Sequence, residues 1–118
     1  MIYISQLIDW SLKNNEELII DLKNVSCTYK NNEYLLFKED GVTNEIDLNN
    51  RLYKRIASNY TMEIDFNICV CKFAFQTGET CEFDITGSME ILNKKIRIRY
   101  SYETEVKEIN ITLKDDEI

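Results

Sequence analysis

Apolar residues in this chain recur at every second position. Tyr60, Met62, Ile64 and Phe66 alternate with Thr61, Glu63 and Asp65. Cys69, Cys71, Phe73 and Phe75 repeat the pattern, followed by Cys81, Phe83 and Ile85. Ile96, Ile98, Tyr100 and Tyr102 do so again, and Ile109, Ile111 and Leu113 end the series that Ile8, Trp10 and Leu12 begin. Successive side chains on a strand point to opposite faces, so a period of two buries one face of a sheet. A helix needs spacings of three and four, and only residues 14–22 approach them, which leaves a helical turn near Asn14 as the exception to weigh. With two alanines in the whole chain and abundant isoleucine, the composition also disfavours helix. The expectation is all-β.

Short polar breaks separate the runs: Asn14-Asn15, Asn31-Asn32, Asp40-Gly41, Asn49-Asn50, Ser58-Asn59, Thr77-Gly78, Asn93-Lys94 and Glu103-Thr104. Asparagine and glycine tolerate the left-handed backbone region that tight hairpins require. A two-residue loop at Asp40-Gly41 sets Glu39 opposite Val42, Phe37 opposite Asn44 and Leu35 opposite Ile46. Around Gly78 a three-residue loop over 77–79 would place Phe75 opposite Cys81, Phe73 opposite Phe83 and Cys71 opposite Ile85. A two-residue loop there would mix the faces. Between Ile20-Leu22 and Val25-Cys27-Tyr29 the parity shifts, which calls for a bulge or corner near Lys23-Asn24. Spacings of eight to twelve residues, without a linker or long crossover, predict one domain over 1–118. The expected form is a single antiparallel up-and-down β-barrel of about eight to ten strands, with a sandwich as the alternative.

Charge removes several functions. The 118 residues carry 14 basic and 21 acidic side chains, a formal charge of −7, whereas a nucleic-acid partner calls for a basic face. The absence of histidine removes the usual general base and the commonest metal ligand. No nucleotide loop or nucleophile elbow is present, so neither enzyme chemistry nor a cofactor is expected. The N-terminal stretch lacks the basic segment of a signal peptide, and no apolar run is long enough for a bilayer. Four cysteines without an export signal read as reduced thiols in a cytoplasmic protein.

Four short stretches carry a family likeness. Tyr34-Leu35-Leu36-Phe37-Lys38-Glu39, Arg55-Ile56-Ala57, Phe73-Ala74-Phe75-Gln76-Thr77-Gly78 and Ile96-Arg97-Ile98-Arg99-Tyr100 follow one another in order. From about Leu7 to Leu113 the chain resembles the small calycin-like (lipocalin-like) β-barrels of Firmicutes and relatives. Alanine at 57 stands where that family has glycine, and the Lys23-Asn24 region replaces a further expected glycine. The resemblance implies a barrel fold and brings no activity, catalytic residue or ligand.

Among individual residues Arg55 stands out. A two-residue loop at Asn49-Asn50 sets Ile46 opposite Tyr53 and Asn44 opposite Arg55, placing Arg55 on the face of Leu35 and Phe37. A three-residue loop would turn it to solvent. An inward guanidinium requires an anionic partner or a bound anion, and Tyr53, Asn44 and Tyr100 would add convergent polar groups. Cys69 and Cys71, expected on one strand face with Cys81 across the hairpin, read as packed thiols rather than metal ligands. Trp10 reads as a core residue. Arg97 and Arg99 read as strand-face charges that pair with Glu105 or Glu108, and Glu63, Asp65, Glu82 and Asp84 as a solvated outer face. The expected role is binding of a small apolar or anionic ligand in the lumen. The alternative is a packed scaffold that meets a protein partner or a second copy of itself.

Overall fold

The alternating segments form strands, as a computed structural model describing residues 1–30 and 32–115 shows. Among the described residues these are β1 Ile2–Lys13, β2 Glu16–Val25, β3 Cys27–Lys30, β4 Tyr34–Glu39, β5 Val42–Asp47 and β6 Leu52–Ile56. They continue with β7 Tyr60–Asp65, β8 Val70–Phe75, β9 Thr80–Asp84, β10 Thr86–Leu92, β11 Lys95–Tyr102 and β12 Glu105–Asp115. No helix occurs among them. The segment with near-helical spacing is the hairpin β1–β2, turned by Asn14 and Asn15 at φ 52° and 63°. Two consecutive residues with positive φ make the type I′ loop whose twist matches its flanking strands.

All the strand pairs are antiparallel and fall into two sheets. One has five strands in the order β10-β11-β12-β1-β2, and the other has seven in the order β3-β4-β5-β6-β7-β8-β9. The expectation of one barrel of eight to ten strands is corrected here, because neither sheet closes on itself. The cause is local. Only Ser26 separates β2 from β3, and only Ile85 separates β9 from β10. A single residue cannot reverse the chain, so each crossing carries it into the other sheet. Asn24, at φ 57°, provides the corner expected near Lys23-Asn24. The chain divides into two compact units at these points, Met1–Ser26 with the segment from Thr86 onward, and Cys27–Ile85.

In the five-stranded sheet, Ile4, Leu7, Met89, Ile96, Ile98, Ile109, Ile111 and Leu113 are buried. Register explains the set, since Leu7 faces Ile111, Ile96 faces Ile111, and Ile98 lies between Met89 and Ile109. A register shift between Ile4 and Gln6 lets Ile4 and Leu7, three residues apart, share the buried face. Asp9 shares it too, 5% exposed, with Lys107 Nζ 3.3 Å from its carboxylate. Trp10 is therefore not a core residue. It lies half-buried on the other face and donates from Nε1 to Glu17 Oε1 at 2.8 Å. On that outer face Arg97 bridges Glu90 and Glu108 and Arg99 bridges Glu108, whereas Glu105 pairs with Lys13 at the end of the Asp9 face.

The seven-stranded sheet buries Leu35, Phe37, Ile46, Tyr53, Met62, Ile64 and Cys71 on one face. The Asp40-Gly41 hairpin has the expected register, Glu39 to Val42, Phe37 to Asn44 and Leu35 to Ile46. The Gly78 loop has three residues as expected, but they are 76–78, with Phe75 N donating to Glu79 O at 2.9 Å. Phe73 consequently faces Cys81, and Cys71 faces Phe83. The two-residue slip preserves parity, so Phe73 and Phe83 still share a face, with ring centroids 5.9 Å apart. Cys69 departs from expectation, lying at φ 53° in the turn between β7 and β8 rather than on a strand face with Cys71. Asn31 of the Asn31-Asn32 break lies outside the described residues.

Candidate functional site

Strands β5 and β6 bring three of the four expected residues to one place. Their turn is fastened by Asp47, which accepts from the Asn50 amide at 3.0 Å and from Asn50 Nδ2 at 2.8 Å. These bonds, the backbone one foremost, hold the Asp47 carboxyl below its usual pKa. The turn sets Ile46 opposite Tyr53 and Asn44 opposite Arg55. Tyr53 and Asn44 are both fully buried, and the Tyr53 hydroxyl donates to Asn44 Oδ1 at 2.7 Å. Asn44 Nδ2 in turn donates to the Val42 carbonyl at 3.3 Å. Arg55 shares that face between Asn44 and Met62, with its Nε shielded from solvent.

The fourth residue, Tyr100, belongs to the other sheet. It lies on β11 opposite Gly87, where a Cβ would overlap the Arg99 carbonyl oxygen and come within 2.8 Å of Tyr100 Cα. Glycine at 87 is thus required by the close approach of β11.

Two features of the Arg55 face escaped the sequence reading. Glu39, 6% exposed, brings a carboxylate to the same face at the end of β4. Its alternation with Leu35 and Phe37 was the available signal. Beyond Met62 the face becomes aromatic: Tyr60 and Phe73 lie 5.8 Å apart, and Phe73 stacks on Phe75 at 5.7 Å. Phe75 is 42% exposed, so this aromatic end is open while the Tyr53–Asn44 end is closed.

Cys71 faces Phe83 and Ile64, and burial, with a smaller contribution from Cys81, pushes its thiol up to about 11. Such a thiol is a poor nucleophile at neutral pH. Cys27, Cys69 and Cys81 are likewise outside any disulfide, and Cys81 is exposed. Among the described residues no group of three or more Cys, Asp or Glu side chains is placed to hold a metal ion. On the opposite face, Lys54, Glu63, Lys72 and Glu82 form a cross-strand row of alternating charge. They help line a groove of about 340 Å³, with Lys54 and Glu63 3.8 Å apart. Each charge there has an opposite neighbour, as befits a solvated face. Among the described residues no helix is long and apolar enough to cross a membrane.

No family model matches the chain, and no curated protein does. Among solved structures, the ywiB protein from Bacillus subtilis is similar, with a TM-score of 0.51 at 12% identity over 98% of this chain and 92% of that one. At that identity the likeness is one of all-β fold.

Proposed function

We propose that this chain binds a small amphiphilic anion on the apolar face of the seven-stranded sheet. The observation that carries the reading is the position of Arg55, with the Tyr53–Asn44 hydrogen bond to one side and the aromatic group of Tyr60, Phe73 and Phe75 to the other. A guanidinium offers a planar fork of donors suited to a carboxylate or phosphate. The open aromatic end suits an apolar ring or chain attached to that group. The site needs only residues of one sheet, so Tyr100 is not required. A binding role without catalysis is proposed, since the site brings together no nucleophile and base. Kinship with calycin-like proteins and a cytoplasmic setting belong to the same proposal, supported by the short motifs, the all-β fold and four cysteines outside disulfides.

The test uses anilinonaphthalene sulfonate, an aromatic anion, with the uncharged dye Nile red as control. Loss of the charge-assisted contacts in Arg55→Ala should weaken the anionic dye about tenfold and leave the neutral dye nearly unchanged. Equal binding of the anion to both proteins would refute the reading. A second reading, a scaffold acting through protein contacts, is supported by Leu18 and Ile19 on β2, each 58% exposed.

A further inference from the structure

The outer strand β2 has a property that Leu18 and Ile19 alone do not show. It terminates the five-stranded sheet beyond β1, and Glu16, Glu17, Leu18, Ile19, Asp21 and Lys23 along it are all exposed. Its hairpin with β1 closes at Lys13 opposite Glu16. In a two-residue hairpin that closing pair exchanges its backbone hydrogen bonds, and the pattern then alternates. Glu17, Ile19, Asp21 and Lys23 consequently turn their amides and carbonyls away from β1. An edge strand in this state is a template for another strand.

We infer that β2 pairs with the β2 strand of a second copy of this chain, antiparallel about a two-fold axis at Ile20. Self-complementarity selects this occupant. Pairing about Ile20 sets Ile19 opposite Asp21 and Glu17 opposite Lys23, and these are the four residues whose backbone groups are outward. On one face it sets Leu18 against Leu22 and Ile20 against its own copy, covering the exposed Leu18. On the other it joins Glu17 to Lys23 twice, once on each side of the axis. Centring one residue later would set Asp21 against Asp21, a like-charge contact that opposes association. The contact is isologous and closes as a dimer.

Sedimentation equilibrium of the full chain tests this, with circular dichroism to verify that each variant is folded. The wild type should dimerise. Lys23→Glu and Glu17→Lys should each weaken the dimer about tenfold, and the double charge swap should restore it. Glu17 also accepts from Trp10, so recovery in the double variant separates pairing across the axis from loss of that bond. A wild type that stays monomeric at its highest soluble concentration overturns the inference. So does a dimer indifferent to both single variants, or one the double swap does not restore. None of these outcomes depends on anion binding at Arg55.

Discussion

The Tyr53 hydroxyl donates a 2.7 Å hydrogen bond to Asn44 Oδ1, and neither side chain reaches solvent. The partners sit on adjacent strands, two residue pairs apart along the β5–β6 ladder and on the same face. A buried amide oxygen deprived of its donor loses more than the bond itself is worth, because desolvation is then uncompensated. Tyr53→Phe is therefore expected to cost about 1–3 kcal/mol. Urea unfolding should show a lower midpoint at unchanged m-value. In Tyr53→Phe with Asn44→Leu the loss should be less than additive, and full additivity would show that the bond contributes nothing.

Gly87 gives a sharper test. The atoms a side chain would meet belong to the β11 backbone and cannot turn aside. Gly87→Ala should accordingly destabilise the protein by more than about 2 kcal/mol, well above an ordinary surface substitution. Thermal unfolding measures this, and a melting temperature within a degree or so of wild type would be incompatible with the described packing.

Asp9 and Lys107 form an ion pair on the buried face of the five-stranded sheet, the acid at 6% and the base at 20% side-chain exposure. Removing one member of a buried pair strands the other, whereas replacing both with apolar residues relieves the desolvation. Asp9→Ala should cost about 2–4 kcal/mol, reduced from the fully buried case because Lys107 retains some water. Asp9→Leu with Lys107→Met should recover most of that loss in chemical denaturation. A double variant as unstable as the single would count against this account.

Cys71 and Cys81 should differ in reactivity and in linkage to pH. With a thiol-exchange reagent at mildly alkaline pH, exposed Cys81 should be modified quickly and buried Cys71 only on unfolding. The folded state holds the Cys71 proton up to about 11, against an ordinary value of 9.0. Between these values the unfolded chain binds fewer protons than the folded one, so stability falls as pH rises. Below pH 9 both states keep the proton, and Cys71 no longer makes stability vary with pH. Cys71→Ala should flatten the decline, and an identical pH profile in that variant would refute the assignment.

Particular residues show how far the sequence carries. The Asp40-Gly41 loop was legible because a two-residue turn allows one register that keeps apolar parity on both strands. At Asn49-Asn50 the loop has four residues, 48–51, with Arg51 at φ 55°, and keeps the register that a two-residue loop would give. Arg55 followed from that register. At Gly78 the expected loop was displaced by one residue, although a signal existed. A three-residue loop places its left-handed residue last, and Gly78, at φ 93°, is the third residue of 76–78. Cys69 offered no such signal, since cysteine has no turn preference to announce its φ of 53°.

Alternation along the chain determined that strands form, where hairpins turn, and which residues share a face, because these follow from backbone geometry over a few neighbours. Which face is buried on β1 was decided by partners: Ile8, Trp10 and Leu12 are as apolar as Ile4 and Leu7, and only packing chose the latter pair. The single-residue crossings at Ser26 and Ile85 likewise divided into two sheets a set of strands that local pattern alone would allow to close as one. Closure depends on where distant strands meet, and pairing between neighbours carries no information about that.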